Sequence, residues 1–405
     1  MPTITCCRSC QSRNLFAVLD FGMTPLADRL VPEAQQGEAD PVAPLALVAC
    51  ADCGLAQLSV TVPPDTLFRH DYPYYSSVST TLAAHFKASA DRLISELPKG
   101  PSTKVLEAAS NDGYLLKHFK AAGMSVQGVD PAQGPADAAR QVGIETIDGF
   151  FSDELVEQHQ LEADLFLANN VLAHVPDING FAGGIAKCLK PDGRAVIETP
   201  YLADLIQNLA FDTIYHQHVF HYSMTALRHL FGRHGLAIND CERLDVHGGS
   251  LRLFISRQGA ESDRVLALVE EEATAEILTP AYYAGFNQRI EGLKDQLLQT
   301  LAGCKQREER VVGYGAAAKA VTLLAHFGLG SSDLAYIVDK NPVKHGWYMP
   351  GTRIPIQPVE ALADDRPDYL LLLAWNFADE IMAQEAEFHR AGGRFIIPIP
   401  EFRIA

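Results

Sequence analysis

The chain has 405 residues, 47% hydrophobic and 20% charged, with a formal net charge of -17 at pH 7. That length exceeds one ordinary core and calls for two or three domains, and no apolar run approaches the roughly 18 residues of a membrane span. So acidic a balance repels phosphate backbones and argues against general nucleic-acid binding, so an anionic ligand needs a local pocket of its own.

The opening residues, Met1 to Cys7, lack the basic and apolar regions of a signal peptide, so a reducing, cytoplasmic setting is expected for the cysteines. Five of the eight cysteines fall within the first 53 residues, and four of them form the pairs Cys7-Arg-Ser-Cys10 and Cys50-Ala-Asp-Cys53. A two-residue gap lets both thiolates of a knuckle reach one ion, and two knuckles complete the closed tetrahedral shell of a structural zinc site. Cys6 competes with Cys7 by a register shift, but Cys7 fits the spacing. Cys188, Cys241 and Cys304 stand alone and read as core residues. A Cys₄ shell has no open position, so the metal is expected to scaffold a module over residues 1–62 and to take no part in chemistry.

Residues 65–98 read as loop and then helix, with Leu82, Phe86, Ala90, Leu93 and Leu97 at helical spacing. The loop ahead of the helix carries Tyr72, Tyr74, Tyr75 and Ser77, hydrogen-bonding groups for a polar ligand or for packing between domains. Then Lys104–Leu116, with Glu107-Ala-Ala-Ser110-Asn111-Asp-Gly113-Tyr, reads as strand, small-residue turn and helix start. A second strand over Ser125–Asp130 ends in an acid. This is a nucleotide-binding βαβ pattern, in which Asp130 can accept both ribose hydroxyl protons; as a glycine motif it is weak, because Ala108 and Ser110 stand where glycines are common.

Strands are predicted at Asp164–Asn170, Arg194–Pro200 and Leu251–Ser256, with a sharp turn at Pro191-Asp-Gly193 ahead of the middle one. Asp148-Gly149-Phe-Phe151 is placed over an adenine, or in the core. Asn169, Asn170 and the loop to His174 belong at the carboxyl ends of the strands, the usual ligand crevice of an open α/β sheet. Ile214–Ser223 packs three histidines and two tyrosines into ten residues. In an extended backbone His216 would face away from His218, while His221 reads as a surface or core-edge histidine. In His247-Gly-Gly-Ser-Leu-Arg252 the glycines admit close ligand approach, and Arg252 meets a phosphate or carboxylate or forms a surface pair.

Residues 261–306 are helical in pattern. Beyond them Arg310–Ala320 turns from strand into helix and Ala335–Asp339 ends in another acid, with later strands at Tyr369–Trp375 and Arg394–Pro398. Gly313, Gly315, Ala318 and Asp339 make a passable dinucleotide fingerprint, so an NAD-dependent enzyme is one rival reading. Glycine turns at a helix N-terminus suit a diphosphate without nicotinamide equally well, with Lys319 as a point charge or simply a solvated side chain.

These motifs together resemble the sugar-nucleotide C-methyltransferases of deoxysugar biosynthesis over essentially the whole chain. The likeness rests on the Cys₄ head, the Tyr-rich loop ending in Ser-Ser, Glu-Ala-Ala-Ser-Asn-Asp-Gly-Tyr, Asn-Asn-Val-Leu-Ala-His-Val, Tyr-His-x-His, His-Gly-Gly-Ser-Leu-Arg and Val-Gly-Tyr-Gly-Ala-Ala-Ala-Lys. The resemblance implies an α/β protein of three parts: the zinc module (1–62), a class I S-adenosylmethionine-dependent methyltransferase domain (63–258), and a helical connection with a second Rossmann-like, sugar-nucleotide-binding domain (259–405). It implies methyl transfer from S-adenosylmethionine to the carbon next to the ketone of a nucleoside-diphosphate deoxy-ketosugar. A C–H bond beside a carbonyl must lose its proton before carbon attacks, so the site needs a base and support for an enolate oxygen. On this likeness His218 matches the base, Tyr215 and His174 support the enolate, and Tyr72, Tyr74, Tyr75, Ser77, Arg252, Gly313, Gly315 and Lys319 bind substrate. Glu107, Ser110, Asn111, Gly113, Asp130, Asp148, Gly149, Asn169 and Asn170 hold the cofactor, and Cys7, Cys10, Cys50 and Cys53 the zinc.

One residue departs from the pattern: Gln217 stands where the family commonly carries Glu. Glutamine can orient or polarise a neighbouring histidine but accepts no proton, so O- or N-methylation of a sugar nucleotide is the nearer rival, and a non-catalytic binding protein the remotest. Small-molecule partners and a monomer or weak homo-oligomer are expected.

Overall fold

The computed structural model describes residues 3–68, 75–78, 80–98, 100–246 and 248–405. Near the N-terminus β1 (Leu15–Pro25), β2 (Val42–Cys50) and β3 (Ala56–Leu58) form an antiparallel ladder. Their alternation of buried and exposed residues buries Leu45, Leu47 and Ala49 on one face, as the two-residue period of a half-covered sheet requires.

The second sheet is built from β4 (Lys104–Ala108), β5 (Ser125–Asp130), β6 (Thr146–Asp148), β7 (Ala163–Asn169) and β8 (Leu189–Pro200). β9 (Phe220–His221) leaves this unit and pairs with β3, so the ladder of the head is completed by the same segment that carries the histidine cluster. β10 (Ala237–Leu244) and β11 (Ser250–Ser256) return to the second sheet, whose order is β10-β11-β8-β7-β4-β5-β6 with β11 antiparallel to both neighbours. The expected turn at Pro191–Gly193 lies inside β8 instead, as an irregularity where the pairing steps from Ala163↔Leu189 to Leu165↔Arg194.

The central strands are covered on both faces, and successive residues serve opposite sides. Leu165 and Leu167 pack with Leu82, Phe86, Ala90 and Leu93 of the helix Thr80–Ser95, while Phe166 and Ala168 pack with Phe151 and Phe181 opposite. Each such fully buried Leu or Phe side chain contributes roughly 1.5–3 kcal/mol of transfer free energy.

The third sheet contains β12 (Val311–Tyr314), β13 (Ile337–Val338), β14 (Ile356–Gln357), β15 (Tyr369–Leu372), β16 (Arg394–Ile397) and β17 (Arg403–Ile404). It runs β14-β13-β12-β15-β16-β17, parallel except for the last pair. The long helix Pro280–Gln306 precedes it and buries Tyr283, Phe286, Ile290, Leu293, Leu297 and Leu301. These residues share one core with the head, where Phe16 meets Tyr283 at 5.6 Å between ring centres, and with residues 202–214. No helix among the described residues is long and apolar enough to cross a membrane.

Candidate active site

The four thiols of the two Cys-x-x-Cys pairs converge, their sulfurs all within 4.8 Å of one another. Cys7 and Cys53 are 3.7 Å apart and Cys10 and Cys50 3.6 Å, close to the about 3.8 Å edge of a tetrahedron with 2.3 Å zinc–sulfur bonds. Left-handed residues at Gln11 and Gly54 close the two knuckles, whose amides bond back to Cys7 O and Cys50 O. Cys6 stays outside the cluster and bonds Gln11 at the surface. The donor set fits zinc with no position left open.

A cavity of about 610 Å³ lies between the carboxyl ends of the second and third sheets and reaches the head. On the side of the second sheet the turn after β4 carries positive φ at Ala109, Asn111 and Gly113. It aims the Asn111 amide at Asp130 Oδ2 (2.8 Å), and Ala132 N bonds Oδ1 (2.8 Å). Asp130 is thereby fixed facing the cavity with lone pairs to spare, and burial pushes its pKa up to about 6. Asn111, Asp130, Gly149, Asn169 and Asn170 line the wall.

Four residues expected at the cofactor do not line it. Glu107 is fully buried, its carboxyl facing Tyr114 and Asn169 without a well-formed hydrogen bond; burial raises its pKa well above the ordinary value, against the pull of those two groups. The Ser110 hydroxyl is buried against β5, where a Cβ on Gly128 would meet it at 2.3 Å. Gly113 packs on Ile144, and Asp148 ends β6 exposed to solvent. These residues shape the strand ends and the turn. Phe150 and Phe151 both border the cavity, though the Phe151 ring is stacked into the core on Phe166 and Phe181.

At the middle of the cavity the chain from Thr213 to His218 makes a tight turn, with His218 N bonded to Tyr215 O at 2.8 Å. Three parts of the molecule hold it. The head contributes Ala43 O, bonded to His216 Nε2 (3.2 Å); the third unit contributes Thr322 Oγ1, which donates to Ile214 O (3.0 Å); and His174 Nδ1 donates to Gln217 O (2.9 Å). His216 does face away from His218, through a turn and not through strand alternation. His221 is buried behind the site, its ring 6.2 Å from that of His218, and burial pushes its pKa down to about 4.

Carbonyls only accept, so their contacts fix the tautomers. His218 Nδ1 lies 2.6 Å from Thr213 O and His174 Nδ1 lies against Gln217 O, so both rings carry the proton on Nδ1 and direct the basic Nε2 elsewhere. His218 Nε2 accepts from the Tyr215 hydroxyl at 2.9 Å, and the His174 and His218 rings are 4.6 Å apart. Two imidazoles and a phenol therefore meet at one spot, in sight of Asn169, Asn170 and Asp130 across the same cavity.

On the side of the third sheet Gly315, at φ 92°, turns the chain under Ala374, whose Cβ any added Cβ would meet at 2.6 Å. Gly315 lines the cavity, whereas Gly313 is walled in by Ile337 within the sheet. Lys319 is half-buried in the cavity wall and held by its neighbours: its ammonium sits 3.7 Å above the Trp375 ring, bonds Asn376, and faces Asp212, which accepts from Trp375 Nε1 at 2.7 Å. Burial lowers its pKa to about 8, against the pull of Asp212.

Two further residues expected at the substrate are placed elsewhere. Arg252 stands directly across from Glu198 in the β11–β8 ladder and is tied to it at 2.7 Å and to Glu242 at 3.3 Å, away from the cavity. Ser77 bonds Asp112 outside the wall, while Tyr75 is part of it. Tyr72, Tyr74 and His247 lie outside the described residues. Asp28, Lys344 and Asn376 line the cavity without having been singled out in the sequence; nothing in their neighbourhoods distinguishes them, since each is brought in by packing between distant segments.

The strand order of the second sheet, its reversed β11 and the acid ending β5 define a class I S-adenosylmethionine-dependent methyltransferase fold carrying a zinc-binding head. Residues 82–240 match the family described as methyltransferase domain, residues 7–68 a zinc binding domain, and residues 245–400 a C-methyltransferase C-terminal domain. The C-methyltransferase NovU of Streptomyces niveus is 37% identical over 405 residues, 98% of this chain and 96% of that one. The chain belongs to this C-methyltransferase family. Among solved structures, the magnesium protoporphyrin IX methyltransferase of Synechocystis PCC 6803 with bound SAH is similar with a TM-score of 0.36 and 16% identity, over 45% of this chain and 89% of that one.

Proposed function

We propose that this C-methyltransferase acts on the carbon next to the keto group of a nucleoside-diphosphate deoxysugar, by way of an enolate, in the cytoplasm. The observation that carries this reading is the convergence of His218, Tyr215 and His174 between an acidic cofactor crevice and a lysine-bearing second α/β unit. S-adenosylmethionine supplies the electrophilic methyl when bound, and Asp130, Asn111, Gly149, Asn169 and Asn170 would hold it. His218 Nε2 takes the proton from carbon. Its Nδ1–H bond to Thr213 O keeps the ring in place and steadies the imidazolium that forms. The Tyr215 hydroxyl turns from His218 Nε2 to donate to the enolate oxygen, which frees Nε2 for the carbon proton, and the His174 ring packs beside them. Gly315 and Lys319 bind the diphosphate, and Tyr75 the sugar. Residues 1–62, 63–258 and 259–405 serve as head, methyl-transfer domain and sugar-nucleotide domain.

The test uses solvent deuterium and a panel of dTDP-, GDP- and CDP-linked 4-ketosugars. Deuterium should enter the carbon beside the ketone without methyl donor, and label from S-adenosylmethionine should appear on that carbon by NMR. Label on oxygen or nitrogen, with no exchange at carbon, would replace this reading with heteroatom methylation.

A further inference from the structure

We propose that Asp28, a residue of the zinc head, contacts the acceptor substrate, its carboxylate accepting a hydrogen bond from a hydroxyl group of the sugar. The inference rests on the ketosugar reading above and gives the head a part in recognition as well as in scaffolding.

Asp28 lies just beyond β1, in a turn whose preceding residues Leu26 and Ala27 are buried and so fix its place. From there it reaches the same cavity as Tyr215, Gln217 and His218. Its backbone is left-handed, at φ 57°, a conformation that Asp tolerates better than most residues.

The groups around Asp28 select the ligand. Burial, with the charge of Asp339, raises the Asp28 pKa above the ordinary carboxylate value, against the positive charge of Lys344 and the side-chain amide of Gln217, which meet the carboxyl and hold it in place. The Lys344 ammonium is already committed to Ala316 O at 2.7 Å and lies 3.8 Å from Asp339. A carboxylate has room for about four hydrogen bonds, so this corner has acceptor capacity to offer. Two neighbouring carboxylates repel phosphate, and the diphosphate is better matched to the Lys319 side of the cavity. A neutral hydroxyl donor fits Asp28 best, and because Asp28 meets Gln217, the residue between His216 and His218 in the chain, that hydroxyl would belong to the ring that reacts. The contact would therefore set which sugar the base meets, and in which orientation.

The test compares Asp28→Asn and Asp28→Gly with wild type on the panel of 4-ketosugar nucleotides. Asn tolerates the left-handed backbone and keeps the shape, and Gly removes the strain along with the side chain. For both we expect the KM for the ketosugar to rise about 10- to 100-fold, the loss typical of a hydrogen bond to a charged group, with the S-adenosylmethionine Kd and the zinc content unchanged. Unchanged KM in both variants on an active wild-type background overturns this inference alone. Loss of zinc or of cofactor affinity alongside KM overturns it in favour of a purely structural role. Wild-type protein that methylates none of the panel removes the ketosugar reading, and this inference with it.

Discussion

At the end of β5, Asp130 takes the Asn111 N–H on one oxygen and the Ala132 N–H on the other; at the end of β13, Asp339 takes those of Ala316 and Asn341 at 2.7 and 2.8 Å. The two cradles are alike because both follow from a strand running into a tight turn with its amides exposed. Their surroundings are opposite. Asp130 has Asp112 and Asp148 as its charged neighbours, which together with burial raise its pKa, whereas Asp339 has Lys344 at 3.8 Å, with Lys319 and Lys340 on the same wall. An acidic crevice favours a sulfonium cation, and on the other wall it is Lys319 and Lys340, not the Lys344 ammonium already committed to Ala316 O and Asp339, that favour a diphosphate. The repeated backbone makes two ligand sites possible, and on the reading proposed above the side chains around it divide them between cofactor and diphosphate.

The largest effect should come from disturbing what holds the two halves together. Cys50→Ser opens the thiolate shell, and with on the order of 10 kcal/mol of metal-binding free energy tied to folding, zinc content, melting temperature and activity should fall together. His218→Asn keeps the seam but removes the base. The methylation rate should drop about 10²- to 10⁴-fold with deuterium wash-in lost and cofactor affinity retained, as read by calorimetry.

The next two variants separate the halves. Asp130→Asn should weaken S-adenosylmethionine about 10- to 100-fold while leaving the acceptor KM alone. Because Asp130 is protonated below about 6 and its lost charge weakens the crevice, wild-type cofactor affinity should fall as pH drops through that value, and the variant's should not. Lys319→Met should do the converse, raising the acceptor KM about 10-fold with cofactor affinity unchanged. Lys319 loses its proton as pH rises through about 8, so the wild-type acceptor KM should climb there and the variant's stay flat. If either variant moves both constants equally, the two cradles do not divide the ligands as described.

Much of this architecture was legible along the chain because strands and thiol pairs announce themselves locally. The strands ending at Asp130 and Asn169 were found by apolar runs and their closing residues, and Cys7, Cys10, Cys50 and Cys53 by spacing alone. What failed was register and packing. Arg252 reads either as a phosphate or carboxylate partner or as a paired strand arginine, and sequence does not say that Glu198 stands opposite it on the neighbouring strand. Ser110 and Gly113 looked like ligand-facing turn residues, yet one is pressed on Gly128 and the other on Ile144. Asp28 carries no local signal, since its neighbours in the cavity belong to segments remote in sequence.

The turn from Thr213 to His218 is gripped by Ala43, His174 and Thr322, one from each portion of the chain. It works as a keystone: remove any abutment and the arch loses its shape, though each stone is intact. Excised pieces of this enzyme should therefore be inert singly, and grafting its C-terminal half onto a foreign methyl-transfer half would transplant a pocket without its chemistry.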